Sequence, residues 1–352
     1  MHPLYSLHFK TYVFKIIKNN FTGKSEMKIL FYGDECRELW GLLPVIKLIK
    51  DNHQVAFGSI DSHAIALAQR NNTPITNPFE TYHDLLVVNK MHYGVARDLS
   101  EAYAQAGKPV VLIEHAWDGL IHLIDQLWGK QINFFTAFAA SGKQQYELLR
   151  EKHGDRIRIT GFPRLDKLIE APQWDKQEIY DALGVNEFWL VTIPPQNHST
   201  PEADRKLFEE LPRLLDARPV YKIHPRYSTE PYLKYGQLII GDDTLTQDIT
   251  YEILNAAKGI VTHIPPSFMF VEASILKKPV ICFGNLVHFR DIVPELGFIN
   301  EIRKFDIDKL SSTPDNYRFN KYQQELIDMF PHNGGNSERV VHLIEEILKN
   351  NR

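Results

Sequence analysis

Apolar residues recur along this chain in two rhythms. Short unbroken runs end in Gly, Pro, Asp or Ser and read as strands buried on both faces. Between them lie longer stretches whose apolar positions fall three and four residues apart, the stripe of a helix lying on a core. The runs predict strands at Ile29–Tyr32, Gln54–Gly58, Leu85–Val88, Val110–Ile113, Phe134–Ala139 and Ile157–Thr160. Helices are predicted between them at Cys36–Lys50, Ser62–Arg70, Leu99–Ala106 and from Ser141, read as a cap, to Lys152. Pro44 is expected to bend the first of these.

A helical connector over Asp166–Ala182, broken at Pro172, precedes a second series. Its predicted strands are Phe188–Thr192, Val220–Ile223, Leu238–Ile240, Ile260–Thr262 and Val280–Phe283. Its helices are Pro201–Leu215, Gln247–Ala257 and Phe268–Leu276, and two more, Tyr317–Phe330 and Ser337–Lys349, close the chain. Strand alternating with helix means parallel sheets covered on both faces, and two such series imply two α/β domains with a ligand cleft between them.

Composition narrows the class. A chain of 352 residues exceeds one ordinary core, and 43% hydrophobic with 24% charged residues is the balance of a soluble protein. Net charge is −4, so nothing global selects nucleic acid or an anionic membrane. Cys36 and Cys282 are far apart in sequence; no disulfide framework or cysteine zinc site is expected, which fits the cytoplasm. No apolar run is long enough to span a bilayer. The basic, aromatic stretch 1–26 lacks the form of a signal peptide and reads as an N-terminal extension, with peripheral membrane contact left open.

Chemistry concentrates where predicted strands end. Glu114-His115-Ala116-Trp117-Asp118 follows the fourth strand, so His115 is placed to take a proton and Asp118 or Glu114 to orient it. Lys222-Ile223-His224-Pro225-Arg226 ends another strand, and His224 with Arg226 offers donors to phosphate oxygens. Thr262 to Ser267 lead into a helix beginning at Phe268, whose free N–H groups suit a diphosphate. Glu272, a turn and a half on, can accept from a ribose diol. Gln196, in the Pro-rich turn after Thr192, can reach donor or acceptor, and Gly33-Asp34-Glu35 form the first strand-to-helix turn. In Thr160-Gly161-Phe162-Pro163-Arg164-Leu165-Asp166 the structural reading, Arg164 pairing with Asp166, leads. Asp306-Ile307-Asp308 reads as a helix cap before a metal motif. No Gly-x-Gly-x-x-Gly follows a strand and no Walker loop occurs, which disfavours dinucleotide dehydrogenases and P-loop enzymes.

Taken in order, these motifs resemble the GT-B superfamily of glycosyltransferases. The similarity is greatest to the CDP-glycerol glycerophosphotransferases, the teichoic-acid polymerases, and to capsule polysaccharide transferases. The residues that carry it are His115, Thr160 to Asp166, Lys222 to Pro225, Pro266-Ser267 with Glu272, and Lys278-Pro279-Val280. Two departures stand out: Ala116 follows His115 where the family has Gly, and Thr262–Ser267 replaces a Ser-rich turn.

The resemblance implies two Rossmann-like parallel-sheet domains facing a cleft, with C-terminal helices crossing back. The expected divisions are an extension 1–26, an acceptor domain 27–165, a connector 166–186, a nucleotide-donor domain 187–330 and a C-terminal helix 331–352. It implies transfer from a nucleotide-diphosphate donor, such as a nucleotide sugar, to an acceptor hydroxyl on a glycan, polymer or nucleobase. No metal and no cofactor are expected. His115 is then the base with Asp118 beside it. His224, Arg226, Ser267, Phe268, Glu272 and Gln196 hold the donor, and Gly33, Asp34, Glu35 and Trp117 hold the acceptor. Two alternatives stay open: a nucleotide-sugar 2-epimerase of the same fold, and a non-catalytic nucleotide-sugar binding protein.

Overall fold

A computed structural model describes residues 27–79, 83–89, 94–113, 134–170, 175–193, 206–223, 228–240, 247–263, 268–283, 331 and 333–351. The chain divides into two compact units, Met1–Asp166 with Met329–Arg352, and Lys167–Asp328.

The first unit is built on a six-stranded parallel sheet: β1 (Lys28–Tyr32), β2 (Gln54–Gly58), β3 (Leu85–Val88), β4 (Val110–Ile113), β5 (Ala137–Ala140) and β6 (Ile157–Ile159). Their order across the sheet is β2-β1-β3-β4-β5-β6, so the direction of winding reverses between β1 and β3. Successive side chains alternate between faces. Ile29, Phe31, Val87 and Val111 face helices α1 (Cys36–Ile49) and α2 (Ser62–Arg70). Leu30, Tyr32, Val88 and Leu112 face α3 (Gly94–Gln105) and α4 (Lys143–His153).

Two expectations shift here. The fifth strand starts at Ala137, later than the Phe134 predicted. Helix α4 is capped by Gly142 without a side-chain bond, whereas Ser141 gives its backbone N–H and hydroxyl to Oε1 of Gln145. Ser141 is thus tied one turn into the helix by the residue type that completes a capping box.

The second unit begins with α5 (Asp166–Glu170), at the border, and α6 (Lys176–Leu183). Its five-stranded parallel sheet holds β7 (Phe188–Thr192), β8 (Arg218–Lys222), β9 (Leu238–Ile240), β10 (Gly259–His263) and β11 (Val280–Phe283), ordered β11-β10-β7-β8-β9. Here winding reverses between β7 and β10. The predicted helix Pro201–Leu215 is described from Lys206, as a π-helical turn Lys206–Glu210 followed by α7 (Leu211–Leu214), with Pro212 inside it. That turn packs Phe208 on one sheet face, stacked 4.5 Å from the rings of Tyr221 and Tyr235, beside Trp189, Val191 and Val261. A short α8 (Glu230–Leu233) adds Tyr232. Leu190, Val220 and Ile260, offset by one residue, point to the other face and are fully buried. The remaining helices are α9 (Gln247–Ala256), α10 (Phe268–Ile275) and α11 (Asn336–Asn350).

α11 returns to the first unit, where Val340, Leu343, Ile344 and Leu348 join the core that also holds Leu39 and Ile46 of α1. The Thr160–Asp166 motif receives it. The Asp166 carboxylate accepts the N–H groups of Asn336 and Ser337 at 2.9 and 2.6 Å, and the Ser337 hydroxyl. Arg339 Nε donates to the Thr160 carbonyl at 2.8 Å. Gly161 has φ +83, and a Cβ there would lie 1.9 Å from Asn336 Oδ1, so only glycine fits. The carboxylate of the Arg164–Asp166 pair read from the sequence is taken up here by two helix N–H groups that would otherwise be orphaned.

Candidate functional site

Ligands of open parallel sheets sit outside the carboxyl ends of the strands, at the point where winding reverses. In the first unit that point is β1 and β3. β1 delivers Tyr32, then Gly33, Asp34 and Glu35, while β3 delivers Asn89, which is buried. The Tyr32 hydroxyl donates to Asp34 Oδ1 at 2.6 Å, and the Asp34 N–H donates to Glu38 Oε2 at 2.6 Å. Burial, then the Asp34 and Glu38 carboxylates, push the Tyr32 phenol far above its ordinary range. Glu38 is fully buried, and a Cβ on Gly33 would come 3.1 Å from its Cβ, so the turn is held close against α1.

The expected acceptor residues Gly33, Asp34 and Glu35 thus stand together at the reversal point. Glu38 was not foreseen. Glu35 caps α1 and Glu38 is its third residue, the spacing at which a Glu reaches back over a helix start.

In the second unit the reversal point is β7 and β10. Thr192 and Thr262, their near-terminal residues, share a hydroxyl–hydroxyl bond of 2.9 Å across the two strands. Thr192 is also in register with Lys222, the last residue of β8. By alternation all three lie opposite the face filled by Val191, Tyr221, Ile223 and Val261. Glu272 of α10 is 1% exposed and accepts from the Tyr251 hydroxyl at 3.2 Å. Burial pulls the Lys222 ammonium below its ordinary value, and the Glu272 carboxylate pulls it back up. Thr192, Lys222 and Thr262 thus share one sheet face near its carboxyl edge, while Tyr251 of α9 and Glu272 of α10 form a buried bonded pair. Of these residues the sequence had given a role to Glu272 alone; Thr192, Lys222 and Thr262 come together through strand register.

Lys278, in the Lys-Pro-Val motif, has a structural place. Its ammonium donates to the Asn255 and Ala257 carbonyls at 2.7 and 2.8 Å, closing the end of α9, and burial with Lys176 brings it down to about 8.

His115, Trp117, Asp118, Gln196, His224, Arg226 and Ser267 lie outside the described residues, as do 1–26, the predicted helix Tyr317–Phe330 and the Asp306–Asp308 pair. Phe268 opens α10, its side chain likewise outside the description. In the sequence these positions follow described strands or precede a described helix. His115 follows the end of β4 by two residues, His224 follows the end of β8 by two, Gln196 follows the end of β7, and Ser267 directly precedes α10. Among the described residues, no group of three or more His, Cys, Asp or Glu is placed to hold a metal ion. No described helix is long and apolar enough to cross a membrane.

A pair of Rossmann-like units, with the last helix returned to the first, is the make-up of GT-B proteins, and comparison with solved structures shows that fold. A candidate UDP-N-acetylglucosamine 2-epimerase from Listeria monocytogenes aligns with TM-score 0.64 at 13% identity, over 93% of this chain and 97% of its own. The wall teichoic acid polymerase TagF, in a structure with CDPG, aligns with TM-score 0.60 at 12% identity, over 99% of this chain and 95% of its own. The UDP-GlcNAc 2-epimerase from Neisseria meningitidis, bound to UDP-GlcNAc, gives TM-score 0.59 at 14% identity, over 92% and 100%. No protein-family model and no curated protein matches the chain.

Proposed function

We propose that this protein is a GT-B transferase that moves a group from a nucleotide-diphosphate donor, such as a nucleotide sugar, to an acceptor hydroxyl. One observation carries the reading. In the sequence, Gly33–Glu35, His115, Gln196, His224, Arg226 and Ser267 each follow the last residue of a parallel strand, β1, β4, β7, β8, β8 and β10 in turn, within about four positions, the side of such a sheet where ligands bind. The neighbours' own ligands, CDPG and UDP-GlcNAc, are of the matching class.

In this reading the second unit binds the donor. His224, Arg226, Gln196 and the N–H groups at the start of α10, near Ser267 and Phe268, meet the phosphates, and Glu272 meets the ribose. The first unit binds the acceptor through Gly33, Asp34, Glu35 and Trp117. His115, steadied by Asp118, takes the hydroxyl proton as the bond to the leaving phosphate breaks, and fixed donors rather than a metal stabilise the departing charge. His115→Ala should lower turnover by about 10²–10⁴-fold with donor affinity unchanged. Unchanged turnover removes His115 from the mechanism. A thermal-shift panel of nucleoside diphosphates identifies the base, since a ligand at ten times its Kd stabilises the fold by about 1.4 kcal/mol.

A 2-epimerase is the second reading, favoured by the Asp34 and Glu38 carboxylates gathered at the end of β1, where an acid and a base would be wanted. Incubation with a nucleotide sugar and no acceptor separates the two: an epimerase converts it and a transferase does not.

A further inference from the structure

Two buried polar groups converge on one residue of the turn after β1. Asp34 is half-buried, whereas Tyr32 and Glu38, which bind it, are fully buried. They reach it from opposite faces of the sheet. Tyr32 is set among Leu30, Val88 and Leu112 on the α3 face, and its hydroxyl donates to Asp34 Oδ1 at 2.6 Å. Glu38 belongs to α1, on the other face, and its Oε2 accepts the Asp34 backbone N–H at 2.6 Å. A phenol and a backbone N–H each have one proton to give. Whatever else the two carboxylates accept, both of these donors are committed, so the side chain and the main chain of Asp34 are each tied to a group that packing holds still.

The plain use of such an arrangement is to close a turn. Asp34 Oδ2 also lies beside the start of α3, 3.4 Å from where a Cβ on Gly94 would stand, so the carboxylate has the place of a staple between β1 and that helix. Two features go beyond a staple. The turn stands at the carboxyl end of β1, where winding reverses and open parallel sheets hold their ligands. A half-buried turn can also give its N–H to water, yet this one gives it to a carboxylate that is 0% exposed, and burying a carboxylate is costly. Supporting a half-exposed polar group from behind with buried hydrogen bonds is how a ligand-binding group is held rigid.

Resting on the proposed function, we infer that Tyr32 and Glu38 are positioning residues: they hold Asp34 in the orientation in which it accepts from the acceptor hydroxyl. Neither touches the ligand. Tyr32 acts on the carboxylate and Glu38 on the backbone. Tyr32→Phe removes one bond and leaves the ring in the core, so it separates positioning from packing.

The experiment follows nucleotide release by the full chain from UDP-GlcNAc, or from the sugar of whichever base the thermal-shift panel selects. Water alone and added glycerol serve as the smallest hydroxyl acceptors, and calorimetry gives the Kd of the free nucleoside diphosphate. Tyr32→Phe should lower release about tenfold, the size of one hydrogen bond to a charged group, with that Kd within about twofold. Asp34→Asn should lower release at least as much. Adding Tyr32→Phe to Asp34→Asn should cost less than about a further twofold, because the phenol acts through the carboxylate. Glu38→Gln, which keeps an acceptor for the Asp34 N–H, should release nucleotide faster than Glu38→Ala. If Glu38→Ala does not fold, the Tyr32 and Asp34 variants decide alone. A tyrosine that only staples the turn would lower the melting temperature and leave release per folded molecule unchanged. Unchanged release in Tyr32→Phe, or an equal loss with and without the Asp34 carboxylate, overturns the inference and leaves the transferase reading intact. A wild type that binds no nucleoside diphosphate, or releases none from a bound donor with either acceptor, overturns both.

Discussion

The two units use one architecture and gather different polar groups at its carboxyl edge. Both are parallel sheets with helices on their faces, and in both the polar side chains gather where winding reverses. At the end of β1 the gathered groups are the Tyr32 phenol and the Asp34 and Glu38 carboxylates. At the ends of β7, β8 and β10 they are two threonines and a lysine balanced against Glu272. Fold alone does not assign roles to the halves; the proposed function gives the donor to the second and the acceptor to the first, and the side chains at each edge are where that division can be tested.

The units also differ in how the chain builds them. The second is one continuous stretch, whereas the first is completed by α11 arriving from the far end of the sequence. The largest expected effect tests that difference. Asp166→Ala strands the N–H groups of Asn336 and Ser337 in a buried setting and should cost about 3 kcal/mol. Hydrogen exchange should show lost protection in 340–350 and in β1, while β7 and β10 keep theirs. Equal loss in both units would mean that they do not differ as described.

Next in size is the assignment of ligands. His224→Ala should weaken nucleoside diphosphate binding by about tenfold, or about 1.4 kcal/mol. Asp34→Asn should leave that binding within about twofold and raise the KM for the acceptor instead. Were Asp34→Asn to tighten or abolish nucleotide binding, the division between an acceptor edge and a donor edge would be wrong.

How much of this was legible differs by layer. β2, β3, β4, β7, β9 and β11 have the bounds read from the sequence, and β3, β4 and β7, buried on both faces, appear as unbroken apolar runs between turn residues. Fold class followed from that alternation. The errors have local causes. The run Phe134-Phe135 looks like strand, but Thr136 takes the Val110 N–H through its side chain and the ladder starts only at Ala137. Helix α3 starts five residues earlier than its apolar stripe suggested, at Gly94 with φ +68, a residue that signals a break when read locally.

Of the site, Gly33–Glu35 could be read because they are consecutive, and Glu38 should have been, since a capping box has a fixed spacing. The layer at Thr192, Lys222 and Thr262 could not. Those residues are far apart along the chain, and their meeting depends on a register that no local pattern encodes.

The smallest effect sharpens the contrast in stability. His153, at the end of α4, is buried against Phe135 with ring centres 5.1 Å apart, and Arg156 lies 3.0 Å from its Nδ1. Burial, then Arg156 and Lys152, bring its pKa down to about 4. The unfolded chain protonates this histidine near its ordinary value of about 6.5. Between about 6.5 and 4 the unfolded state therefore binds more protons than the folded one, and the first unit loses stability as pH falls through that window. Below about 4 the folded form takes the proton too, and this contribution stops changing. Urea midpoints of the wild type should fall across the window. His153→Phe, which fills the same space without a titrating ring, should flatten the decline for peptides of the first unit. Hydrogen exchange at β7 and β10 should not respond to that substitution. A decline of unchanged slope in His153→Phe would place the pH sensitivity elsewhere in the protein.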